Sequence, residues 1–383
     1  NSSSSALKNP KPVINSLLYN DLCPPFTTVP KALYPVAYWA ITSTIFPVTV
    51  SGCGKTSLLR AIAGFESISS GSILKDGVCI TNSVENTSVA NRNMGMVFQD
   101  YALFPNMDVK SNIAFGLKNA TELEKDNRVN YLLDLVNLPD CKHKYPHELS
   151  GGEQQRVALV RALAPSPDII LMDEPFSNID QDIKEELLSD VRTLLKELAI
   201  TSIIVTHDQN EAFNLADKVV IMNDGTIQQV GIPYDIYHKP VNKFVANFIG
   251  LGTFLPLKKN NKGDFEIPLG PLDNDRIKNE LFKTNNLEML IRPDDIIHND
   301  SSMKKARILE KQFRGAEFLY KLLYNNEHQI LCYAPSHHDH EIGESIGIEL
   351  DYDPGGKNNK FSFKMIDSLK KLILKLQKKY KIK

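Results

Sequence analysis

The stretch SGCGKTS at residues 51–57 is the segment from which the fold of the chain can be predicted. Its glycines let consecutive backbone N–H groups face one anion, and the helix predicted to follow points its positive N-terminus at the same position. In such a loop the lysine contacts the β- and γ-phosphates of a nucleotide, and the next hydroxyl binds Mg²⁺. We therefore predict a site for ATP and Mg²⁺, with the metal on Thr56, formed by Ser51, Gly52, Cys53, Gly54, Lys55, Thr56 and Ser57.

The residues immediately before this loop depart from the usual phosphate-loop pattern. That pattern starts with a glycine where Thr49 stands, and the preceding strand would contain Pro47. Proline cannot donate a hydrogen bond to a sheet, so we do not expect a recognisable central strand here. Residues 1–50 are accordingly predicted to form an atypical N-terminal segment.

Two carboxylates end an apolar run further along the chain. Residues 168–175 read DIILMDEP, which predicts a buried strand followed by Asp173 and Glu174. Asp173 can hold Mg²⁺, and Glu174 can accept a proton from the attacking water. Gln99 and His207 also follow predicted strands; the first can reach Mg²⁺ and the water, and the second the γ-phosphate. We predict that the catalytic residues are Glu174, His207 and Gln99, and that the Mg²⁺ ligands are Thr56, Gln99 and Asp173.

A second anion site is predicted at residues 149–156, which read LSGGEQQR. Ser150, Gly151 and Gly152 open a helix, so a hydroxyl and backbone N–H groups face outward at a positive helix end. One nucleotide does not need two such sites on one chain. We therefore predict a head-to-tail dimer in which this segment caps the γ-phosphate held by the other copy, with Asp180 bridging between the copies.

Residues 51–245 alternate between short β-branched runs and helical patterns, which predicts an α/β nucleotide-binding domain with a parallel sheet. Continuous apolar runs at 168–172, 202–206 and 218–222 predict buried strands, and the spacing over 182–199 predicts a helix. Residues 250–353 contain alternating runs, such as those at 318–324 and 329–333, separated by turn residues, which predicts short antiparallel strands in a small all-β domain. Residues 354–383 form a lysine-rich tail for which both a solvated tail and a basic amphipathic helix are possible interpretations.

Composition narrows the function classes. The chain has 383 residues, a net charge of −2, 42% hydrophobic and 23% charged residues, which is typical of a folded multidomain protein. The near-neutral balance gives no reason to expect nucleic acid as a partner. Its 5 cysteines are scattered and predict neither a disulfide framework nor a zinc site.

These motifs, in this order, resemble the ATP-binding subunit of an ABC transporter. The resemblance covers residues 51 to about 245 and excludes 1–50 and 354–383. It implies that Gly52, Gly54, Lys55 and Thr56 form Walker A, that Asp173 and Glu174 form Walker B with the catalytic glutamate, and that residues 149–156 form the signature. It also implies that Gln99, Asp180 and His207 are the Q-loop, D-loop and switch residues, and that residues of about 100–150 form a helical subdomain facing a permease.

Within the family, YALFPN at 101–106 and NIAFGL at 112–117 resemble the importer branch, and residues 250–353 resemble its accessory β domain of the TOBE type (OB-like). The strings EPFSN, TFLP, LIRPDD, FRGAE and SHHDH resemble the ferric-iron importers in particular. This implies an ATPase coupled to transmembrane transport, peripheral on the cytoplasmic face of the inner membrane. Its partners would be a second copy, permease subunits and, indirectly, a solute-binding protein.

Other functions are compatible with the same motifs. Relatives that transport polyamines, sulfate or another small solute share most of the strings. A product that binds nucleotide but is defective in hydrolysis is a second alternative, because of the altered N-terminal segment. A soluble ABC ATPase usually carries two cassettes, and only one is found here. The run HHDH at residues 337–340 is predicted to be a polar surface loop, because four consecutive residues cannot all converge on one metal ion without a tight loop.

Overall fold

The computed structural model of the chain describes residues 45–49, 54–261, 264–272 and 287–351. The predicted site residues Ser51, Gly52 and Cys53, most of the N-terminal segment and the lysine-rich tail lie outside these ranges. Within them, no helix combines the length and the apolar character needed to cross a bilayer.

The first part of the described chain alternates strands and helices. The strands are β1 (Ile45–Thr49), β2 (Ser72–Lys75), β3 (Val78–Asn82), β4 (Met94–Val97), β5 (Ile169–Asp173), β6 (Thr201–Val205), β7 (Lys218–Asn223) and β8 (Thr226–Gly231). The helices are α1 (Lys55–Ala63), α2 (Val109–Ala114), α3 (Glu122–Leu135), α4 (Gly151–Leu163), α5 (Gln181–Glu197), α6 (Gln209–Leu215), α7 (Pro233–His238) and α8 (Lys243–Ile249).

A six-stranded sheet in the order β4-β5-β6-β1-β7-β8 forms the centre of this part. Its strands are parallel except for β8, which pairs antiparallel with β7. Strands β5, β6 and β7 are almost wholly buried, as continuous apolar runs predict for strands covered on both faces. The predicted strands and the predicted helix over 182–199 are confirmed by β5, β6, β7 and α5.

The prediction that no central strand precedes the phosphate loop is wrong. β1 lies between β6 and β7 and pairs with β7 at five positions, from Ile45 opposite Lys218 to Thr49 opposite Met222. Its pairing with β6 is confined to Ile45, before Pro47 is reached. Because proline lacks only the donor, the strand keeps its ladder with β7 while its ladder with β6 stays short.

Between β4 and β5 the chain forms helices α2, α3 and α4, which pack against one another. Side chains from α2, α3 and α4 share one apolar core, in which Val109, Ile113, Leu132 and Leu163 are fully buried. At the far end of α4, Arg161 donates to the carbonyl oxygens of Tyr101 and Ala102, at 3.0 and 2.6 Å.

Helix α4 also lies very close to strand β4. A Cβ atom added to Gly95 would be 2.6 Å from the carbonyl oxygen of Ala162, so only glycine permits this approach. The helix that begins at the predicted signature therefore contacts both the strand before Gln99 and the loop after it.

Arg92 fixes the end of α1 to the β2–β3 hairpin. Its guanidinium is 1% exposed and donates to the carbonyl oxygens of Ala61 and Ile62, at 3.0 and 2.6 Å, in the last turn of the helix. A cation is favoured at this negative helix end. Gly64 ends the helix at φ +93°, and a Cβ there would be 2.6 Å from Arg92 Nε. This arrangement anchors the helix whose first residue is Lys55.

The second part of the described chain is all β. Its strands are β9 (Thr253–Lys259), β10 (Phe265–Ile267), β11 (Gly270–Pro271), β12 (Leu287–Ile291), β13 (Ile296–His298), β14 (Lys305–Phe313), β15 (Glu317–Tyr324), β16 (His328–Pro335) and β17 (Ser345–Leu350). One antiparallel sheet has the order β11-β10-β9-β12, and β13-β16-β15-β14-β17 close into a barrel. The strands predicted around 318–324 and 329–333 are confirmed by β15 and β16.

Arg292 connects the two parts. It follows β12, is 4% exposed, and donates to the carbonyl oxygens of Ala246, Gly250 and Leu251 at 2.8–2.9 Å. Its guanidinium also lies 4.6 Å from the centre of the Tyr237 ring. Since these groups belong to α7, α8 and the turn after α8, one buried cation holds the β region against the helices that end the first part.

Candidate nucleotide-binding site

The start of α1 carries the predicted phosphate-binding lysine. Gly54 caps the helix with a left-handed backbone (φ +93°), and Lys55 and Thr56 form its first turn. Lys55 is 5% exposed, so its ammonium group is held in the fold rather than in bulk water. The Thr56 hydroxyl donates to Asp173 Oδ1 at 3.2 Å, which joins this turn to the end of β5.

Asp173 and Glu174 lie where β5 ends. Asp173 is largely buried, and burial raises its pKa despite the hydrogen bond from Thr56. Glu174 adopts φ +45°, and its backbone N–H donates to Val205 O at 2.9 Å. A left-handed backbone is costly for a glutamate, and the hydrogen bond to the neighbouring strand holds it in place.

Glu174 is the residue on which the site converges. Its Oε1 lies 3.5 Å from Lys55 Nζ, and its Oε2 lies 3.0 Å from His207 Nδ1. The carboxylate is 20% exposed and the His207 side chain 56%, so both can be reached from solvent. The structure thus brings together, from three separate segments, a buried ammonium, a carboxylate and an imidazole that the sequence assigned to one site.

Gln99 lies at the edge of this group. Its side-chain amide donates to Ser177 Oγ at 3.4 Å, and the Ser177 hydroxyl donates to the backbone carbonyl of Glu174 at 3.0 Å. Asn178 Nδ2 donates to the backbone carbonyl of Gln99 at 3.4 Å. Gln99 is therefore linked to the turn after Glu174, and its role as a Mg²⁺ ligand stays a prediction.

The second predicted anion site lies at the N-terminus of helix α4. Ser150 caps α4 in a reciprocal capping box, in which its hydroxyl accepts from the Glu153 N–H and Glu153 accepts from the Ser150 N–H. A Cβ added at Gly151 or Gly152 would have no neighbour within 4 Å, so there is open space beside both residues. Asp180 begins α5 without a side-chain cap. The roles of these residues across a dimer stay predictions.

Sequence reasoning did not find the ion-pair group behind His207. Lys184 of α5 lies 2.7 Å from Asp208 Oδ2 and 2.6 Å from Glu211 Oε1, and Glu211 is 2% exposed. Burial raises the pKa of Glu211, while the two carboxylates outweigh burial and raise the pKa of Lys184. These ion pairs join α5, which follows Asp180, to α6, which follows His207. The only signal in the sequence is the charge pattern of two amphipathic helices.

The described residues fit a nucleotide with its metal. A buried ammonium at a helix N-terminus suits phosphate oxygens, and a hydroxyl 3.2 Å from a buried carboxylate suits a hard divalent cation. The exposed imidazole of His207 lies 3.0 Å from the partly buried carboxylate of Glu174. Chemically, this arrangement can bind a phosphorylated ligand and accept a proton from water beside it.

Comparison with known proteins agrees with this geometry. A family model described as ABC transporter matches residues 48–177. The chain is 45% identical over 272 residues to the sulfate/thiosulfate import ATP-binding protein CysA 2 of Chromobacterium violaceum, a match that covers 70% of this chain and 72% of the relative. The chain therefore belongs to the ABC transporter family of ATP-binding proteins.

Two further relatives carry different substrate names. The spermidine/putrescine import ATP-binding protein PotA of Thermotoga maritima is 43% identical over 274 residues, which is 70% of each chain. The Fe(3+) ions import ATP-binding protein FbpC of Fusobacterium nucleatum is 40% identical over 261 residues, covering 66% of this chain and 68% of the relative. The relatives thus agree on an ATP-binding subunit for import and differ in what is imported.

Proposed function

We propose that this chain is the ATP-binding and ATP-hydrolysing subunit of an ABC importer. The observation that carries the proposal is the convergence of Lys55, Glu174 and His207 beside the pair formed by Thr56 and Asp173. The names of the three relatives support import as the coupled process. A permease and, through it, a solute-binding protein are the partners that this function requires.

Each side chain has a role that follows from its position. Lys55 binds the β- and γ-phosphates of ATP, which compete with Glu174 for its ammonium group. Thr56, Asp173 and Gln99 would hold Mg²⁺, which neutralises phosphate charge when bound. Glu174, released from Lys55, accepts the proton of the attacking water, and His207 keeps the carboxylate oriented and lies next to the γ-phosphate.

We further propose a head-to-tail dimer, in which Ser150, Gly151 and Gly152 of one copy close the nucleotide site of the other and Asp180 lies at the joint. The open space around the two glycines and the position of the segment at a helix N-terminus support this. ATP binding would bring the copies together, and hydrolysis would separate them.

The permease surface is proposed on residues 100–117. Phe115 is 53% exposed, and its ring lies 4.6 Å from that of Phe104, which forms a small aromatic patch beside the loop that follows Gln99. An exposed aromatic patch next to a catalytic loop suits a docking surface that responds to nucleotide. The chain would then be peripheral on the cytoplasmic face of the membrane.

For domains and substrate we propose a nucleotide-binding domain at 51–245 with a helical subdomain at about 100–150, and a TOBE-type β domain at 250–353. The four-stranded sheet and the closed barrel support the β domain.

Ferric iron is the proposed substrate, because the chain shares sequence strings with iron importers and is similar to the FbpC relative. Sulfate and polyamines are the alternatives, on the names of the other two relatives.

The function is tested by equilibrium binding of Mg-ATP to the chain and to Lys55→Ala. Saturable binding that is lost in Lys55→Ala supports the proposal, and Lys125→Ala, which removes a partly exposed lysine of α3, is the matched control. Absence of binding in the folded parent would overturn the proposal, whereas binding without hydrolysis would favour the product that binds nucleotide but is defective in hydrolysis. Substrate is then tested by measuring ATP hydrolysis with the cognate permease in vesicles containing iron-, sulfate- or spermidine-loaded binding protein.

A further inference from the structure

Three histidines converge on one side of the β-barrel, far from the nucleotide site. His298 ends β13, and His338 and His340 lie in the loop between β16 and β17. The His298 ring centre is 4.6 Å from that of His338 and 4.8 Å from that of His340. One nitrogen from each ring lies within 4.8 Å of the others.

Two of these rings bury a nitrogen: one has no hydrogen-bond partner, and the other faces a single exposed carboxylate. The His298 side chain is 2% exposed, and its buried Nε2 lies 3.0 Å from Oδ1 of Asp300, a carboxylate that is itself 69% exposed. His340 Nε2 is also buried and without a partner. A buried polar atom left unsatisfied costs free energy, and buried nitrogens at the meeting point of three imidazoles indicate a missing ligand.

The loop that carries two of the histidines is fixed from beneath by Tyr320. This residue is fully buried, and its hydroxyl donates to the His338 carbonyl at 2.7 Å and accepts from the His340 N–H at 3.1 Å. His340 Nδ1 lies 3.2 Å from Glu344 Oε1. A carboxylate on one imidazole nitrogen orients the ring and leaves the other nitrogen for a metal, as in known histidine metal sites.

The arrangement also explains which residues of the HHDH run are excluded. His338 and His340 are two positions apart and face the same side, whereas Asp339 between them pairs with Lys311 and His337 is exposed. The prediction of a plain surface loop considered the four consecutive residues only. The third imidazole comes from β13, which the closure of the barrel brings next to β16.

We propose that His298, His338 and His340 bind one divalent transition-metal ion of the zinc type. Imidazole is the preferred nitrogen ligand of such ions, and three of them leave a fourth position for water or for Asp300. Tetrahedral Zn²⁺ with Zn–N bonds of about 2.0–2.1 Å separates its ligand atoms by about 3.3 Å. The rings would therefore move together by at most about 1.5 Å on binding.

The test is a Zn²⁺ titration of the full chain after removal of metals, in buffer without nucleotide or Mg²⁺, against a chromophoric chelator. We expect one bound ion per chain, and an affinity at least tenfold weaker in His338→Gln and in His340→Gln. His337→Gln is the matched control: its ring centre lies 4.4 Å from that of His338, but it is not one of the three proposed ligands, so this variant should bind as the parent does.

Two further measurements keep the outcome decisive. Circular dichroism and thermal unfolding without metal establish that each variant is folded. The visible spectrum of Co²⁺ bound to the unaltered chain should show four-coordinate nitrogen and oxygen ligation without a thiolate charge-transfer band. Equal Zn²⁺ affinity in all four proteins, equal weakening in His337→Gln, or a thiolate band from an exposed cysteine such as Cys79 would each overturn the proposal.

Discussion

The nucleotide site and the histidine cluster of the barrel differ in how their polar groups are satisfied. In the nucleotide site and beside it, at the carboxyl ends of the parallel strands, Lys55 faces Glu174 and Lys184 faces two carboxylates, so each of these lysines already has an opposite charge. In the barrel, His340 Nε2 is buried with no hydrogen bond, and the buried His298 Nε2 faces only the exposed Asp300 carboxylate. The first site must exchange internal partners for a ligand, whereas the second gains partners when a ligand arrives.

The largest expected effect is on the rate of ATP hydrolysis at the nucleotide site. Glu174→Gln keeps the size of the side chain but removes the group that accepts the proton, so hydrolysis should fall by about 10²–10⁴-fold. ATP binding should persist, since Lys55 loses a competing anion. Steady-state turnover and ATP titration measure the two effects. Glu122→Gln, an exposed acid on α3, serves as the control, and an unchanged rate in Glu174→Gln would remove this glutamate from the mechanism.

A second variant tests whether the ion pairs of Lys184 with Asp208 and Glu211 stabilise the fold next to the nucleotide site. Lys184→Met leaves Asp208 and buried Glu211 without their cation, and the free energy of unfolding should drop by about 3–5 kcal/mol in urea at pH 7. Lys184→Arg should recover most of the loss. Burial already raises the pKa of Glu211, so the defect should lessen as pH falls and this carboxyl takes up a proton. A Met variant as stable as the parent would contradict the comparison.

The β region offers a smaller, pH-dependent effect. Burial raises the pKa of Asp295 from its ordinary value near 3.8 to about 6. The folded chain therefore holds this proton more tightly than the unfolded chain, and stability falls as pH rises from about 4 to about 6. Asp295→Asn should remove that fall and stabilise the protein at pH 7 by at most about 3 kcal/mol.

The measurement for Asp295 is the free energy of unfolding in urea between pH 4 and pH 7. Asp134→Asn alters an exposed carboxyl of α3 that does not act on Asp295 and is the control. Parallel pH curves for the parent and Asp295→Asn would show that this carboxyl is not costly in the fold.

The smallest effect separates a structural cap from a ligand site. Thr121 of α3 and Ser150 of α4 form the same capping box, so Thr121→Ala and Ser150→Ala should each cost about 1 kcal/mol of stability. Only Ser150→Ala should also weaken ATP-dependent dimerisation, which analytical ultracentrifugation measures. If both variants dimerise equally well with ATP, the Ser150 hydroxyl is only a cap.

The strands and strand-end residues of the nucleotide site could be predicted from the sequence because they follow local rules. Buried parallel strands are continuous apolar runs, and polar side chains that follow strand ends meet, so the proximity of Asp173, Glu174 and His207 could be predicted, while their chemical roles stay predictions. β1 could not be predicted, since Pro47 argues against a central strand until it is known that the ladder with β6 is confined to Ile45.

The contacts that could not be predicted join residues distant in the chain without a shared motif. Arg92 and Arg292 are single arginines whose partners are mostly backbone carbonyls, which leave no mark in the sequence. Lys184 and Glu211 meet only because α5 packs beside α6. His298 joins the HHDH loop only because the barrel closes through β13 and β16.

Helix α4 has a mechanical consequence for coupling between sites. Its 13 residues form a stiff rod about 20 Å long, with Ser150 at one end and, at the other, Arg161 gripping the loop after Gln99. The contact of Gly95 with Ala162 leaves the rod no room to slide along β4. If a permease docks on that loop as proposed, a force on the loop would tilt the end of α4 that carries Ser150, and α4 would then act as a lever between the permease and the nucleotide site of the proposed partner copy.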